Sequence, residues 1–192
     1  MAADRILNMK VSATSNWIAP NNLGAHLVWQ QTGQTGLGNS NRVDPAGNIN
    51  LQRMPRDSQW SDSVRIQITL DDHMTDSNGR PVHARYARPG EGPIEPGYCW
   101  FMARCGDSQP TTPANVSSSR VSDNLVRIQD NRTSQLLGGP LPTDDVPYAW
   151  ALGMIVELPG GPYFITLDPL TGGKGTGTTP IDGEDEADCA SE

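Results

Sequence analysis

The clearest pattern along the chain is the alternation in Val64-Arg65-Ile66-Gln67-Ile68-Thr69-Leu70, with apolar residues at every even position and polar ones between them. A period of two puts one face of an extended strand inward and the other in water. Helical spacing does not collect these four apolar residues on one stripe. The N-terminal segment repeats the pattern: Leu7, Met9, Val11 and Ala13 share one face, and Asn8, Lys10 and Ser12 the other.

Near the C-terminus a long apolar run from Tyr148 to Leu158 is broken by Pro159-Gly160-Gly161-Pro162 and resumes as Tyr163-Phe164-Ile165-Thr166-Leu167. Two β-type runs around a Gly-Gly turn predict a hairpin. The first run is apolar on both faces, so it is expected to be a central strand, with Gly153 marking a bulge or a close backbone approach. Shorter strands are expected over Ala25–Gln31, Asn48–Gln52, Val82–Ala87, Gly97–Arg104 and Asn124–Gln129. Turn sequences separate them, among them Gly33–Asn41, Asp44-Pro45-Ala46-Gly47, Ser77-Asn78-Gly79 and Arg88–Pro93. Gly106–Ser119 and Gly138–Asp145 read as long loops, and short helical turns are expected at Ala2–Arg5 and Pro55–Ser61.

Many short strands without crossover helices predict an all-β fold, an antiparallel β-sandwich of jelly-roll or immunoglobulin-like type. The 20 glycines and 16 prolines suit such a heavily turned chain. Past Leu170 the apolar anchors stop and a Gly/Thr-rich stretch leads into an acid run. A segment of this kind cannot bury enough surface to offset its ordering entropy. One domain over residues 1–171 and a flexible acidic tail over 172–192 are therefore expected.

Charge sharpens the division. Of 22 acids, six fall in residues 182–192, which hold no base, so the remaining 16 acids nearly balance the 14 bases. A near-neutral domain with an acidic tail repels phosphate backbones, which argues against nucleic acid as a partner. No stretch reaches the ~20 apolar residues of a membrane-spanning helix, so no membrane association is expected. The N-terminus has an early acid and no continuous apolar region, and does not read as a secretory signal. With Cys99, Cys105 and Cys189 an odd, widely spaced set, reduced thiols and a cytoplasmic location are expected. The sequons at Asn115 and Asn131 are expected to stay unused there.

Catalytic patterns are sparse. Thr171-Gly172-Gly173-Lys174-Gly175-Thr176 lacks the upstream glycine, the Ser or Thr after the lysine and the following helix of a phosphate loop. His26, His73 and His83 have no zinc-motif spacing, and no metal or cofactor is expected. His73 beside Asp71 and Asp72 first reads as a solvated strand end entering a turn, though it could serve a hydrolase of unfamiliar type. Neither Gly-x-Ser-x-Gly nor a papain-like cysteine context occurs. Cys99 lies in an apolar strand that disfavours its thiolate, and Cys105 is the more reactive thiol. Of the five tryptophans, Trp29, Trp100 and Trp150 are expected in the core, while Trp17 and Trp60 border turns. Trp60, with Asp57 and Asp62 nearby, is the candidate binding site: an indole can stack on a sugar ring while carboxylates bond its hydroxyls.

The C-terminal hairpin, Tyr148-Ala-Trp-Ala-Leu-Gly-Met-Ile-Val-Glu followed by Gly160-Gly161-Pro162-Tyr163-Phe164-Ile165-Thr166-Leu167-Asp168-Pro169, resembles the closing hairpin of the AidA/PixA inclusion-body protein family. The opening strand Ile6–Ala13 and the Trp60-to-Leu70 segment are similar in kind, whereas Gly33–Asn41 and Gly97–Ser119 have no counterpart. The resemblance implies a bacterial, cytoplasmic β-sandwich, sometimes deposited as inclusions, and it carries over no catalytic residue. The expectation is a non-enzymatic, self-associating or ligand-binding protein, with a carbohydrate-binding sandwich as the alternative.

Overall fold

The computed structural model describes residues 2–13, 27–71, 74–75, 80–92, 98–101, 115–132, 148–158, 161–167 and 170–172. Among these, every regular element is a strand: β1 (Ala3–Ala13), β2 (Leu27–Thr35), β3 (Ile49–Asn50), β4 (Trp60–Leu70), β5 (Met74–Thr75), β6 (Pro81–Tyr86), β7 (Tyr98–Phe101), β8 (Val116–Ser122), β9 (Leu125–Asp130), β10 (Tyr148–Leu158), β11 (Gly161–Leu167) and β12 (Leu170–Gly172). They form a five-stranded sheet in the order β2-β1-β4-β9-β8 and a seven-stranded sheet in the order β3-β12-β10-β6-β5, with β11 and β7 also paired to β10.

The alternation read in the sequence is the alternation of burial. Val64, Ile66, Ile68 and Leu70 are all buried, as are Leu7, Met9 and Val11 on β1 and Val126 and Ile128 on β9. Register aligns them into rows: Leu7 opposes Ile66, which opposes Ile128, and Met9 opposes Ile68, which opposes Val126. Each such side chain contributes about 1.5–3 kcal/mol by leaving water. Trp150, Leu152, Met154 and Val156 of β10, with Val82 and Tyr86 of β6, join them in one core cluster shared by both sheets. Two side-chain contacts tie the layers directly. The Tyr86 hydroxyl donates to the Ile68 carbonyl at 3.3 Å. The Trp29 and Trp150 rings meet edge to face, 5.6 Å between centroids at 87°.

β10 is the central strand its two apolar faces predict. Its first half pairs with β7 and β12, and its second with β11 and β6. Gly153 marks no bulge, since the β10–β11 register runs through it unbroken. It is a close approach instead: its carbonyl accepts the Ala87 N–H at 2.8 Å, just beyond β6.

Several expectations change. The sheets are mostly antiparallel, but β1 runs parallel to β4 and β12 parallel to β3. Residues 36–59 cross to the second sheet, contribute β3 and return, so β4 re-enters beside β1 in the same direction. A crossing between sheets thus replaces the crossover helix that parallel neighbours usually require. The helical turn expected at Ala2–Arg5 is the start of β1, drawn into the sheet by its pairing with β4. The one expected at Pro55–Ser61 is a non-helical turn leading into β4, because the Asp57 carboxylate takes the Gln59 N–H at 2.9 Å and its carbonyl takes the Trp60 N–H at 3.1 Å. The loop expected over Gly106–Ser119 ends early, since its serine-rich end opens β8, whose inward residue Val116 is buried. The tail expected over residues 172–192 lies outside the described residues except for Gly172, which ends β12.

Candidate functional site

Strand parity places Arg5 on the same face of β1 as Leu7, Met9 and Val11, and the side chain is only 2 % exposed. A guanidinium cannot sit there without polar partners. Its Nε donates to the Ser61 carbonyl at 2.9 Å, its Nη2 to the Pro55 carbonyl at 3.0 Å and its Nη1 to the Gly36 carbonyl. A second buried arginine lies in the segment that Arg5 grips. Arg42 donates through Nη2 to the Leu37 carbonyl at 2.6 Å and through Nη1 to the Asn50 carbonyl at 3.3 Å and to the Gln52 carbonyl. Its own N–H is received by the Gln31 side-chain oxygen at 2.7 Å. Two cations therefore organise residues 36–61 by collecting main-chain carbonyls. Burial lowers the pKa of Arg5, and Asp62 and Asp57 oppose that shift. Burial also lowers that of Arg42, and repulsion from Arg5 adds to it.

The turns of this segment follow from its sequence. Asp44 Oδ1 accepts the N–H groups of Ala46 and Asn48 at 2.9 and 2.8 Å, and its Oδ2 accepts the Asn48 side-chain amide at 2.9 Å. Gly47 then turns with φ at +92°, where an added Cβ would lie 2.6 Å from the Trp29 ring. Beside this turn an open cleft of about 460 Å³ is lined by Asn41, Arg42, Val43, Asp44, Pro45, Asn48 and Asn50. Its lining is mixed: Val43 and Pro45 lie beside the amide side chains of Asn41, Asn48 and Asn50, and apolar surface is the larger share.

The three residues singled out in the sequence gather around Arg5. Trp60 opens β4 and is half-buried. Gly36, with φ at +74°, lies against its indole, so that a Cβ there would come within 2.7 Å of the ring. One side of the Trp60 ring is thus occupied by the chain itself. Asp57 is exposed and caps the turn before Trp60, and Asp62 is half-buried. Both act electrostatically on Arg5. Elsewhere the picture is dispersed. Asp71 pairs with Lys10 at 3.1 Å, and His83 is exposed on β6. Cys99 lies on β7 and Thr171 and Gly172 on β12. Trp29 and Trp150 are in the core as expected, and Trp100 lies on β7, whose side chains fall outside the described set. Asp72, His26, His73, Trp17, Cys105, Cys189 and Lys174 lie outside the described residues. Among the described residues, no three His, Cys, Asp or Glu side chains group as metal ligands, and no helix is long and apolar enough to cross a membrane.

Sequence reasoning missed Arg5, Arg42 and a further buried pair. Asp130 is fully buried, and Arg132, 3 % exposed, grips its carboxylate through Nε and Nη2 at 2.9–3.3 Å. A signal was there for two of them. Arg5 and Asp130 occupy the inward parity of strands whose other inward residues are apolar, and a charge in that phase marks a buried polar contact. Arg42 lies in irregular chain and carries no such mark. The chain matches no protein-family model and no curated protein sequence.

Proposed function

We propose that this protein is a non-enzymatic, self-associating β-protein of the AidA/PixA inclusion-body kind, cytoplasmic in a bacterium, with its two sheets arranged as a jelly-roll or immunoglobulin-like sandwich. The observation that carries the reading is the charge pattern of one sheet margin. Residues 11–41 contain no Asp, Glu, Lys or Arg, and this stretch includes all of β2, the end strand of the five-stranded sheet. Proteins that stay monomeric usually guard such strands with charge or proline. Sedimentation velocity over a hundredfold concentration range tests the proposal: a rising sedimentation coefficient is expected, and a single monomeric species throughout would end it.

A second reading, carbohydrate binding, rests on the open cleft at Asn41–Asn50, where apolar surface lies beside side-chain amides in the segment that leads to Trp60. A glycan array read together with tryptophan fluorescence decides it. Binding that is lost in Asn48→Ala is expected if the reading holds, and an array without hits removes it.

A further inference from the structure

We infer that the outer edge of β2 pairs antiparallel with the same edge of a second copy, across a two-fold axis, joining two five-stranded sheets into one; this rests on the self-association reading above. Among the described residues β2 pairs only with β1, and none of them takes up the main-chain donors and acceptors of its other edge. The strand Leu27-Val-Trp-Gln-Gln-Thr-Gly-Gln-Thr35 has no charge and no proline. A two-fold pairing sets each strand against its own sequence, so any charge near the axis meets its like. β2 has none to meet.

The edge is also held in shape. Trp29, 8 % exposed, points inward onto the Trp150 ring and against Gly47, and Gln31 holds the Arg42 N–H from below. Pairing with β1 is unbroken from Leu27 to Gln31, and the register slips only beyond, where Thr32 is left without a partner between Asn8 and Met9. The flat stretch available for augmentation is therefore Leu27–Gln31. Its solvent face carries Val28, 44 % exposed, and the exposed Gln30. An apolar and an amide side chain of this kind strengthen a cross-strand contact, amides by laddering.

The other margins fit a second copy less well. β8, at the far end of the same sheet, carries Arg120, which is bound to the Tyr86 carbonyl at 3.1 Å and to Asp123. Self-pairing there would bring two arginines together. β3 and β5 are two residues long, and β11 carries Pro162, which removes a ladder donor.

Val28→Lys and Gln30→Lys each place a charge beside the proposed axis, and Ser119→Lys places one on β8 as the control. Circular dichroism and the melting temperature check that each variant folds. Sedimentation equilibrium is expected to show at least a tenfold weaker self-association for the two β2 variants and no change for Ser119→Lys. In hydrogen exchange the Leu27–Gln31 amides of the wild type should gain protection as concentration rises. Wild-type association that survives both β2 variants, or that leaves those amides unprotected, overturns this edge while sparing the self-association reading. A wild type that never associates overturns both.

Discussion

The β4–β9 ladder and the segment 36–59 line the same core, yet different forces hold them. In the ladder the side chains that matter are apolar and fall in strict alternation, Ile66 against Ile128 and Ile68 against Val126. The main chain there satisfies itself within the sheet. In the segment the main chain turns repeatedly, and its carbonyls are satisfied by two buried guanidiniums, while its tight turns lay glycines against indoles. Leu37, Leu51 and Met54 are as buried as the strand residues, but they reach the core from irregular chain, and Ile49 does so from the two-residue β3. Apolar burial can therefore be supplied by either kind of backbone. Without sheet pairing, the carbonyls need donors from side chains.

The largest effect is expected in the ladder. Ile66 is fully buried between Leu7 and Ile128, so Ile66→Ala loses transfer energy and leaves a cavity, costing about 2–5 kcal/mol. Urea unfolding should show a lower midpoint with an unchanged slope, as for the loss of packing in a cooperative unit. Loss of protection confined to β4, with the remainder intact, would break the picture of one core shared by both sheets.

Arg5→Met probes the other region. The methionine fills most of the volume but leaves the Gly36, Pro55 and Ser61 carbonyls without their charged donor. Hydrogen bonds to charged groups are worth about 1.5–3 kcal/mol each, and water entering from the margin recovers part of that. A net cost of about 2–3 kcal/mol is expected. Native-state hydrogen exchange locates it: the Asn50 and Asp44 amides, bonded to the Arg42 and Asn48 carbonyls, should lose protection first, with β9 unchanged. An equal loss in β9 would mean that the two regions open as one unit and differ only locally.

These two variants also mark how far the fold can be read from the chain. Ile66 announces itself by its period, as do Leu7, Met9 and the two-faced β10, because strand geometry writes burial directly into spacing. Asp44-Pro45-Ala46-Gly47 announces its turn by residue type. The role of Arg42 is not legible: its partners, Leu37, Asn50 and Gln52, are chosen by a tertiary path with no periodic trace. The parallel pairing of β1 with β4 is hidden for the same reason, since it depends on residues 36–59 visiting the other sheet. Of the candidate site, Trp60, Asp57 and Asp62 were visible as a sequence cluster, but the arginine they surround was not. Only its inward phase on β1 hinted at it.

A glycine pair sharpens the contrast at smaller scale. Gly47→Ala meets both a left-handed backbone, φ +92°, and the Trp29 ring at 2.6 Å. Gly90→Ala has a similar φ of +80° and open space around it. Backbone strain alone is expected to cost about 1 kcal/mol in either variant. The overpacked ring adds about 1–3 kcal/mol at Gly47 only. The difference between the two melting temperatures thus measures the indole contact. Equal shifts would show that the turn yields and that the ring does not hold the segment.

The smallest effect comes from an arginine satisfied in the opposite way to Arg5. Arg85, on β6, meets the Glu91 carboxylate with two nitrogens at 2.6 and 3.1 Å, and the Arg88 N–H donates to the same carboxylate at 2.7 Å. Chiefly through the Arg85 bonds, then that of the Arg88 N–H, the Glu91 pKa is held down at about 2. A depressed folded-state pKa means that the stabilisation is complete above the ordinary carboxylate value of about 4.5 and is lost as pH falls from there through about 2. The melting temperature of the wild type should therefore exceed that of Glu91→Gln by a small, constant margin above about pH 5, and the two should converge toward pH 2. Because the pair lies at the surface, about 0.5 M salt should also shrink the margin, while the loss in Arg5→Met should respond far less, its donors being bonded to carbonyls and only the attraction of Asp57 and Asp62 being open to screening. A loss in Arg5→Met that shrinks with salt as steeply as the Glu91 margin would place Arg5 with Arg85, as a cation held by carboxylates through solvent, and the carbonyl cage would no longer account for the fold of residues 36–61.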